Sequence, residues 1–312
     1  MQRAFWLTGL ASLALTACSG SEEPLAVNGD SPDDVVSEDT AADMTAEDAA
    51  DAASAGTLEW ALAGDWRGAN GERDDARHPA ETLTFFGIEP TDTVIEIWPG
   101  GGWYAEILAP WLNANGGTYV AAHFAADSQS SYRQRSRAAF EERFMGTDLF
   151  GDVIVRSWGP DNPGLGEPAS ADAVLTFRNV HNWMRGGFTE RAFDEFYDVL
   201  RPGGVLGVVE HRLPDTREQD PLAETGYVQE AYVIAIAREA GFELVDSSEI
   251  NANPADTADH PNGVWTLPPS QSGWDTEGFD PAPYAAIGES DRMTLLFRKP
   301  ETEAIPAEGT ED

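Results

Sequence analysis

Basic residues are scarce in this sequence: 19 against 55 acidic ones in 312 residues, a formal net charge of −36, with Lys299 the only lysine. A field this negative repels phosphate backbones, which excludes nucleic acid as a partner. Cysteine is scarcer still, and the single Cys18 removes a disulfide framework or a thiolate zinc cluster from consideration. The N-terminal apolar run, Ala4 to Leu15, is broken by Thr8, Gly9 and Ser12 and is too short to span a bilayer. From Ser19 to about Gly56 there is no Lys, no Arg and no aromatic residue. Such a stretch buries too little apolar surface to offset its ordering entropy, so a disordered acidic tether is expected. Against these absences stand a 41% hydrophobic composition and ten tryptophans, enough to build a substantial core in one large or two modest domains.

A basic start at Arg3, the short apolar run and the small residues of Leu15-Thr16-Ala17-Cys18 describe an export signal. The ending resembles the lipobox of bacterial lipoproteins, which implies acylation of Cys18. Ser19, in place of the aspartate that favours inner-membrane retention, points to the periplasmic face of the outer membrane. The expected organisation is a signal over 1–17, the tether over 18–57, one domain over 58–299 and a second acidic tail over 300–312.

Within the domain, apolar strands alternate with amphipathic helices, the pattern of an α/β sheet with mainly parallel strands. Strands are predicted at Val94–Ile97, Thr118–Ala122, Val153–Val155, Ala173–Phe177, Val205–Val209, Phe242–Val245 and Met293–Phe297. Phe193, Phe196, Tyr197 and Leu200 mark one helix by their spacing; Tyr227, Ala231, Ile234 and Ala235 mark the next.

The richest local signal is Glu96-Ile97-Trp98-Pro99-Gly100-Gly101-Gly102-Trp103-Tyr104, directly after the first strand. Glycines at such a turn let backbone amides approach a ligand at a helix N-terminus, or serve only tight packing. With the Leu200-Arg201-Pro202-Gly203-Gly204 turn, this loop resembles class I S-adenosylmethionine-dependent methyltransferases. The stretches Phe177 to Trp183 and Glu230 to Ile234 are similar to a bacterial group of predicted methyltransferases. The resemblance covers about Arg73 to Lys299 and implies a doubly wound seven-stranded Rossmann-like sheet with an antiparallel last strand. It also implies adenosylmethionine as cofactor, with Gly100, Gly101 and Gly102 near its methionine end and Glu96 ordering the loop.

The chain departs from the family at two places. Trp98 stands where the family has glycine, so the loop takes a different path or the indole fills part of the pocket. The second strand ends Val120-Ala121-Ala122-His123-Phe124 without the acid that pairs with ribose hydroxyls; His123 offers one hydrogen bond instead.

Three histidines, His123, His181 and His211, follow predicted strands and meet at the carboxyl edge of the sheet, where ligands bind. Histidine is the best general base near neutral pH, so His181 and His211, with Tyr104 and Asn179, form the expected reaction edge. Three imidazoles and Glu210 would also suit a divalent metal, but HExxH-type spacing is absent and no metal is assigned. Residues 251–291, rich in Pro, Gly, Asp and Trp, are expected to form a lid over that edge. Arg133, Arg135, Arg137 and Arg143 are read as partners of Glu141, Glu142 and other acids. The expectation is a methyltransferase-like enzyme for a small molecule, touching the membrane only through Cys18. The alternatives are a fold relative that has lost adenosylmethionine and uses the histidine edge otherwise, and a non-catalytic binding lipoprotein.

Overall fold

The computed structural model describes residues 54–301. The export signal, Cys18, most of the tether and the tail beyond Glu301 lie outside the described residues. No described helix is long and apolar enough to cross a membrane.

Eight strands form the sheet: β1 (Thr93–Ile97), β2 (Thr118–His123), β3 (Ile154–Ser157), β4 (Ala171–Phe177), β5 (Leu200–Leu213), β6 (Val228–Gln229), β7 (Glu243–Ser248) and β8 (Arg292–Arg298). Seven lie in the order β3-β2-β1-β4-β5-β8-β7, and β6 is a two-residue strand paired with the end of β5, too short to leave a periodicity in the sequence. β8 runs antiparallel to both β5 and β7. The remaining pairs are parallel, as expected for a doubly wound, Rossmann-like α/β fold. Strand order reverses between β1 and β4, so their carboxyl ends open a crevice there.

Alternation along the strands fills both faces. Ile95, Ile97, Val120, Ala122 and Val174 pack into one core with Phe193, Phe196 and Leu206. Val94, Tyr119, Ala121, Ala173 and Leu175 face the other way, onto Leu83, Ile107, Leu108 and Leu112. Each fully buried Leu, Ile or Phe contributes roughly 1.5–3 kcal/mol to holding these layers together.

The helix at Thr189–Val199 buries Phe193 and Phe196, the stripe read from the sequence. The helix at Glu230–Glu239 differs: Val233, Ile236 and Ala237 are buried, while Ala231 and Ala235 are exposed. Tyr227 precedes this helix and belongs to a separate cluster with Leu213, Ala258 and Val264; counting it into the helical period shifted the stripe.

Candidate functional site

The glycine turn leaves β1 through Trp98, whose backbone N–H donates to the Ala122 carbonyl at 2.8 Å. Trp98 has φ +48°, Gly100 φ +60° and Gly102 φ +84°. The left-handed region is natural for glycine and costs another residue about 1–3 kcal/mol. Trp98 therefore keeps a glycine-like backbone, and it is the side chain that differs. The indole is buried among Phe124, Trp158, Trp183 and Phe188, with ring centroids 5.0–6.2 Å away, and its Nε1 donates to the Trp158 carbonyl at 3.1 Å.

The three glycines have different jobs. A Cβ on Gly100 or Gly101 would meet nothing within 4 Å, so this backbone faces open space. A Cβ on Gly102 would lie 2.2 Å from the Phe144 ring. Gly102, expected beside the cofactor, is instead a packing glycine against the helix at Ser131–Phe144.

The open space is a cavity of about 470 Å³ at the carboxyl ends of β1, β4 and β5. Tyr104, Asn179, His181, His211, Glu96, Gly100 and Gly101 line it; Gly102 and His123 do not. His123 is fully buried beneath the turn: its Nδ1 accepts from the Phe124 N–H at 2.8 Å, and its Nε2 lies 3.1 Å from the Gly100 carbonyl. Both ring nitrogens are engaged, so His123 braces the turn rather than meeting a ligand's hydroxyl. Burial pushes its pKa down to about 4.

At the far side of the cavity the buried Glu210 organises two histidines. One of its oxygens accepts from the Val180 N–H at 2.5 Å; the other lies 3.0 Å from His181 Nδ1 and accepts from the His211 N–H at 2.9 Å. The carboxylate fixes the Nδ1–H tautomer of His181 and leaves Nε2 as a lone pair with no protein partner among the described residues. His211 Nδ1 is 2.6 Å from Ser290 Oγ, and the two imidazole centroids are 5.5 Å apart. Burial, then the charges of His181, Arg178, Arg292 and Arg77, hold the His211 pKa well below the usual histidine range, so this ring is neutral at pH 7.

Donor atoms of His181, Glu210 and His211 lie within 4.8 Å of one another. The chemistry opposes a cation there. Glu210 already accepts three hydrogen bonds, and Arg77, Arg178 and Arg292 raise the local potential.

Tyr104 stacks on Phe177 at 3.6 Å, and burial pushes its phenol up to about 12, which makes it a donor at neutral pH. Asn179 Nδ2 donates to the Ile97 carbonyl at 2.8 Å and ties the end of β4 to that of β1. Glu96 accepts from Tyr119 Oη at 2.5 Å, and burial raises its carboxyl to about 7. Four arginines, Arg73, Arg77, Arg178 and Arg292, share the cavity wall with Glu289; of these the sequence marks only Arg178, beside the histidine edge. On the helix at Ser131–Phe144 the arginines pair with acids as expected, Arg137 with Glu141 at 2.7 Å and Arg143 with Glu106 at 2.6 Å.

Segment 251–291 contributes Val264, Trp265, Pro268, Pro269 and Ser270 to the cavity lining. Trp265 meets the His181 ring edge-on at 5.9 Å and carries Arg185 on its face at 5.3 Å. Buried Asp256 anchors the segment, accepting from Tyr227 Oη at 3.0 Å and from the Asp291 N–H at 2.9 Å. Two further cavities, of about 460 and 500 Å³, continue past Trp98 towards the ends of β2 and β3.

No protein-family model matches the chain, and no curated protein does. Solved structures do. The [4+2]-cyclase SpnF is similar with 19% identity and a TM-score of 0.51, over 77% of this chain and 86% of that one. A putative sarcosine dimethylglycine methyltransferase from Galdieria sulphuraria has 16% identity and a TM-score of 0.49, over 74% and 87%. A SAM-dependent methyltransferase from Aquifex aeolicus has 13% identity and a TM-score of 0.48, over 73% and 93%. At these identities the likeness is one of fold, and folds of this kind host more than one reaction.

Proposed function

We propose that the chain is an S-adenosylmethionine-dependent methyltransferase-like enzyme that acts on a small molecule, with His181 as general base. One observation carries this reading: His181, oriented by Glu210 with its Nε2 free, shares a single cavity with the open Gly100–Gly101 backbone. A base beside a ligand cradle is what transfer to a hydroxyl or amine requires, because the accepting atom must lose its proton.

The donor set fits the methionine end of the cofactor, which Gly100, Gly101 and the Asn179 region would hold. It does not fit the ribose, since no carboxylate stands at the end of β2 and His123 is turned inward. When bound, adenosylmethionine supplies an electrophilic methyl group. The chain's own contributions are separate from it. His181 Nε2 takes the proton, and Glu210 keeps the tautomer and stabilises the imidazolium. Tyr104 and Trp265 narrow the access of water. Calorimetry of the full chain with adenosylmethionine and its demethylated product tests the reading: saturable binding of both, weakened in Gly101→Val, is expected. Absence of heat from either refutes it.

A second reading, proton chemistry on the same edge without adenosylmethionine, is favoured by the Trp98 indole, which fills space over the ends of β1 and β2. We further infer, from Leu15 to Cys18, that the mature chain is exported and held by acyl groups on Cys18 at the periplasmic face of the outer membrane. Membrane fractionation should lose the protein in Cys18→Ser; recovery of the wild-type chain from cytoplasm with Met1 attached would overturn this.

A further inference from the structure

A chain with 55 acids and 19 bases gathers four of those bases around one cavity. Arg73 and Arg77 come from the helical segments before β1, Arg178 from the end of β4 and Arg292 from the start of β8. One carboxylate serves three of them: Glu289 lies 2.6 Å from Arg73, 3.1 Å from Arg77 and 2.5 Å from Arg292. The fourth, Arg178, has no hydrogen-bonded acceptor for its guanidinium among the described residues, although it lines the same cavity. Its backbone is left-handed, with φ +64°, and its N–H donates to the Val209 carbonyl at 2.7 Å. The only other carboxyl in the wall among the described residues, Glu96, accepts from Tyr119 Oη, and burial raises it to about 7, so it is partly protonated at neutral pH.

The wall is therefore short of negative charge. Burial and then Arg178 push Arg77 down to about 8, while burial and then Arg292 push Arg178 down to about 10. A guanidinium does not answer such pressure by losing its proton in ordinary buffers, so the missing partner is an anion. Guanidinium forks match the paired oxygens of a carboxylate or phosphate, and Trp103 backs Arg77 face-on at 4.7 Å, which keeps one fork in place. His211 feels Arg178, Arg292 and Arg77 directly, so an anion held by these arginines sits beside the two imidazoles.

We propose that the substrate carries a carboxylate or phosphate group, and that Arg178 and Arg77 bind this group against the Glu289–Arg292 ion pair, next to His181. The inference rests on the reading of this cavity as a substrate site, but not on the cofactor. An anion occupies the arginines whether or not adenosylmethionine is present.

The test uses the full chain, with inorganic phosphate and succinate as probes, in buffers of constant ionic strength set with chloride. Calorimetry and thermal unfolding should both register binding of at least one probe, and which of the two binds more tightly separates phosphate from carboxylate recognition. Arg178→Gln should weaken that binding at least tenfold, and Arg178→Lys, which keeps the charge but not the fork, should fall between the two. Arg135→Gln, an exposed change of the same charge, should leave it unaltered. Because Arg178 has no acceptor among the described residues, Arg178→Gln should also unfold at a higher temperature than wild type in the chloride buffer without phosphate or succinate, whereas loss of a structural cation would lower it. Equal probe binding by wild type and Arg178→Gln, binding of neither probe, or a lower unfolding temperature for Arg178→Gln in that probe-free buffer would overturn the proposal. Anion binding in a chain that ignores adenosylmethionine would leave the arginine site standing and remove only the methyl-transfer reading.

Discussion

His123 and Gly100 are joined through the imidazole Nε2 and the glycine carbonyl at 3.1 Å. Since Nδ1 accepts from the Phe124 N–H, the proton must sit on Nε2, and the ring donates to the turn as a neutral group. The end of β2 thus supports the ligand cradle at the end of β1, and that support depends on the ring staying uncharged.

The stability of this support is pH-dependent, and Glu96 opposes it. His123 is depressed by burial from 6.5 to about 4, so its contribution is complete above pH 6.5 and is lost as pH falls towards 4. Glu96 is raised by burial from 4.5 to about 7, so its contribution is complete below pH 4.5 and is lost as pH rises through 7. Each shift corresponds to about 3 kcal/mol. The stability advantage of wild type over His123→Gln should shrink by about that amount between pH 6.5 and 4. Glu96→Gln should gain on wild type by a similar amount between pH 4.5 and 7. Parallel curves for wild type and a variant, followed by denaturant unfolding across this range, would contradict the assignment for that residue.

Periodicity and strand-end position made the strands and the histidine edge legible, because these features are local in the chain; the reversed last strand is not local and was implied only by the resemblance to class I methyltransferases. His181 follows β4, and His211 lies within β5, which runs on to Leu213 past the predicted end at Val209; the two strand ends converge where the sequence placed these histidines. Arg178 was visible beside the histidines, but the arginine wall was hidden because Arg73, Arg77 and Arg292 belong to other elements, and only the sheet order brings them to it. The one visible basic cluster, Arg133 to Arg143, stands on a helix that gives the cavity Tyr132 and none of its arginines. Side-chain direction was equally illegible. His123 ends β2 much as His211 stands near the end of β5, yet the His123 ring bonds back to the turn and to the Phe124 N–H, whereas the His181 and His211 rings line the cavity. Glycine spacing did not separate Gly101 from Gly102, since the folded backbone, with Gly102 at φ +84°, and the Phe144 ring against it distinguish them.

The Glu210–His181 pair predicts a defined imidazole tautomer. In spectra of ¹⁵N-histidine protein at neutral pH, His181 should be the Nδ1–H form and His123 the Nε2–H form. Glu210→Gln replaces an acceptor by an amide donor facing backbone N–H groups, so it should cost about 1–3 kcal/mol and mix the His181 tautomers. His181→Asn should reduce turnover by about 10²- to 10⁴-fold with little change in KM, the expected loss of a general base. An unchanged turnover number in a folded His181→Asn protein would remove this residue from the chemistry.

Adjacent glycines should respond in opposite ways. Gly101→Ala places a methyl group in open space at an ordinary φ and should change stability by less than about 0.5 kcal/mol. Gly102→Ala drives its methyl into Phe144 at a φ of +84°. Clash and backbone strain together should destabilise it by roughly 2–4 kcal/mol. Gly101→Val, with a branched chain in the cavity, should weaken adenosylmethionine binding without unfolding the protein. Urea unfolding and calorimetry on the three variants separate the roles, and a Gly101→Val protein that binds as wild type does would leave this turn with packing alone.

Trp98→Gly decides between the two readings of the site. Returning glycine to φ +48° relieves backbone strain of about 1 kcal/mol or more, but it also empties the space between Phe124, Trp158, Trp183 and Phe188. Loss of a buried tryptophan costs about 3–5 kcal/mol, so the net effect should be a destabilisation of roughly 2–4 kcal/mol. The same change opens the wall that the first cavity shares with those running to the ends of β2 and β3. If the indole occupies space a nucleoside needs, adenosylmethionine should bind Trp98→Gly at least tenfold more tightly than wild type. The phosphate or succinate affinity of the arginine wall should stay the same, because Arg178 lies on the β4 side of the turn. If wild type binds adenosylmethionine and Trp98→Gly binds it more weakly, the indole is part of the cofactor site, and the reading without adenosylmethionine fails.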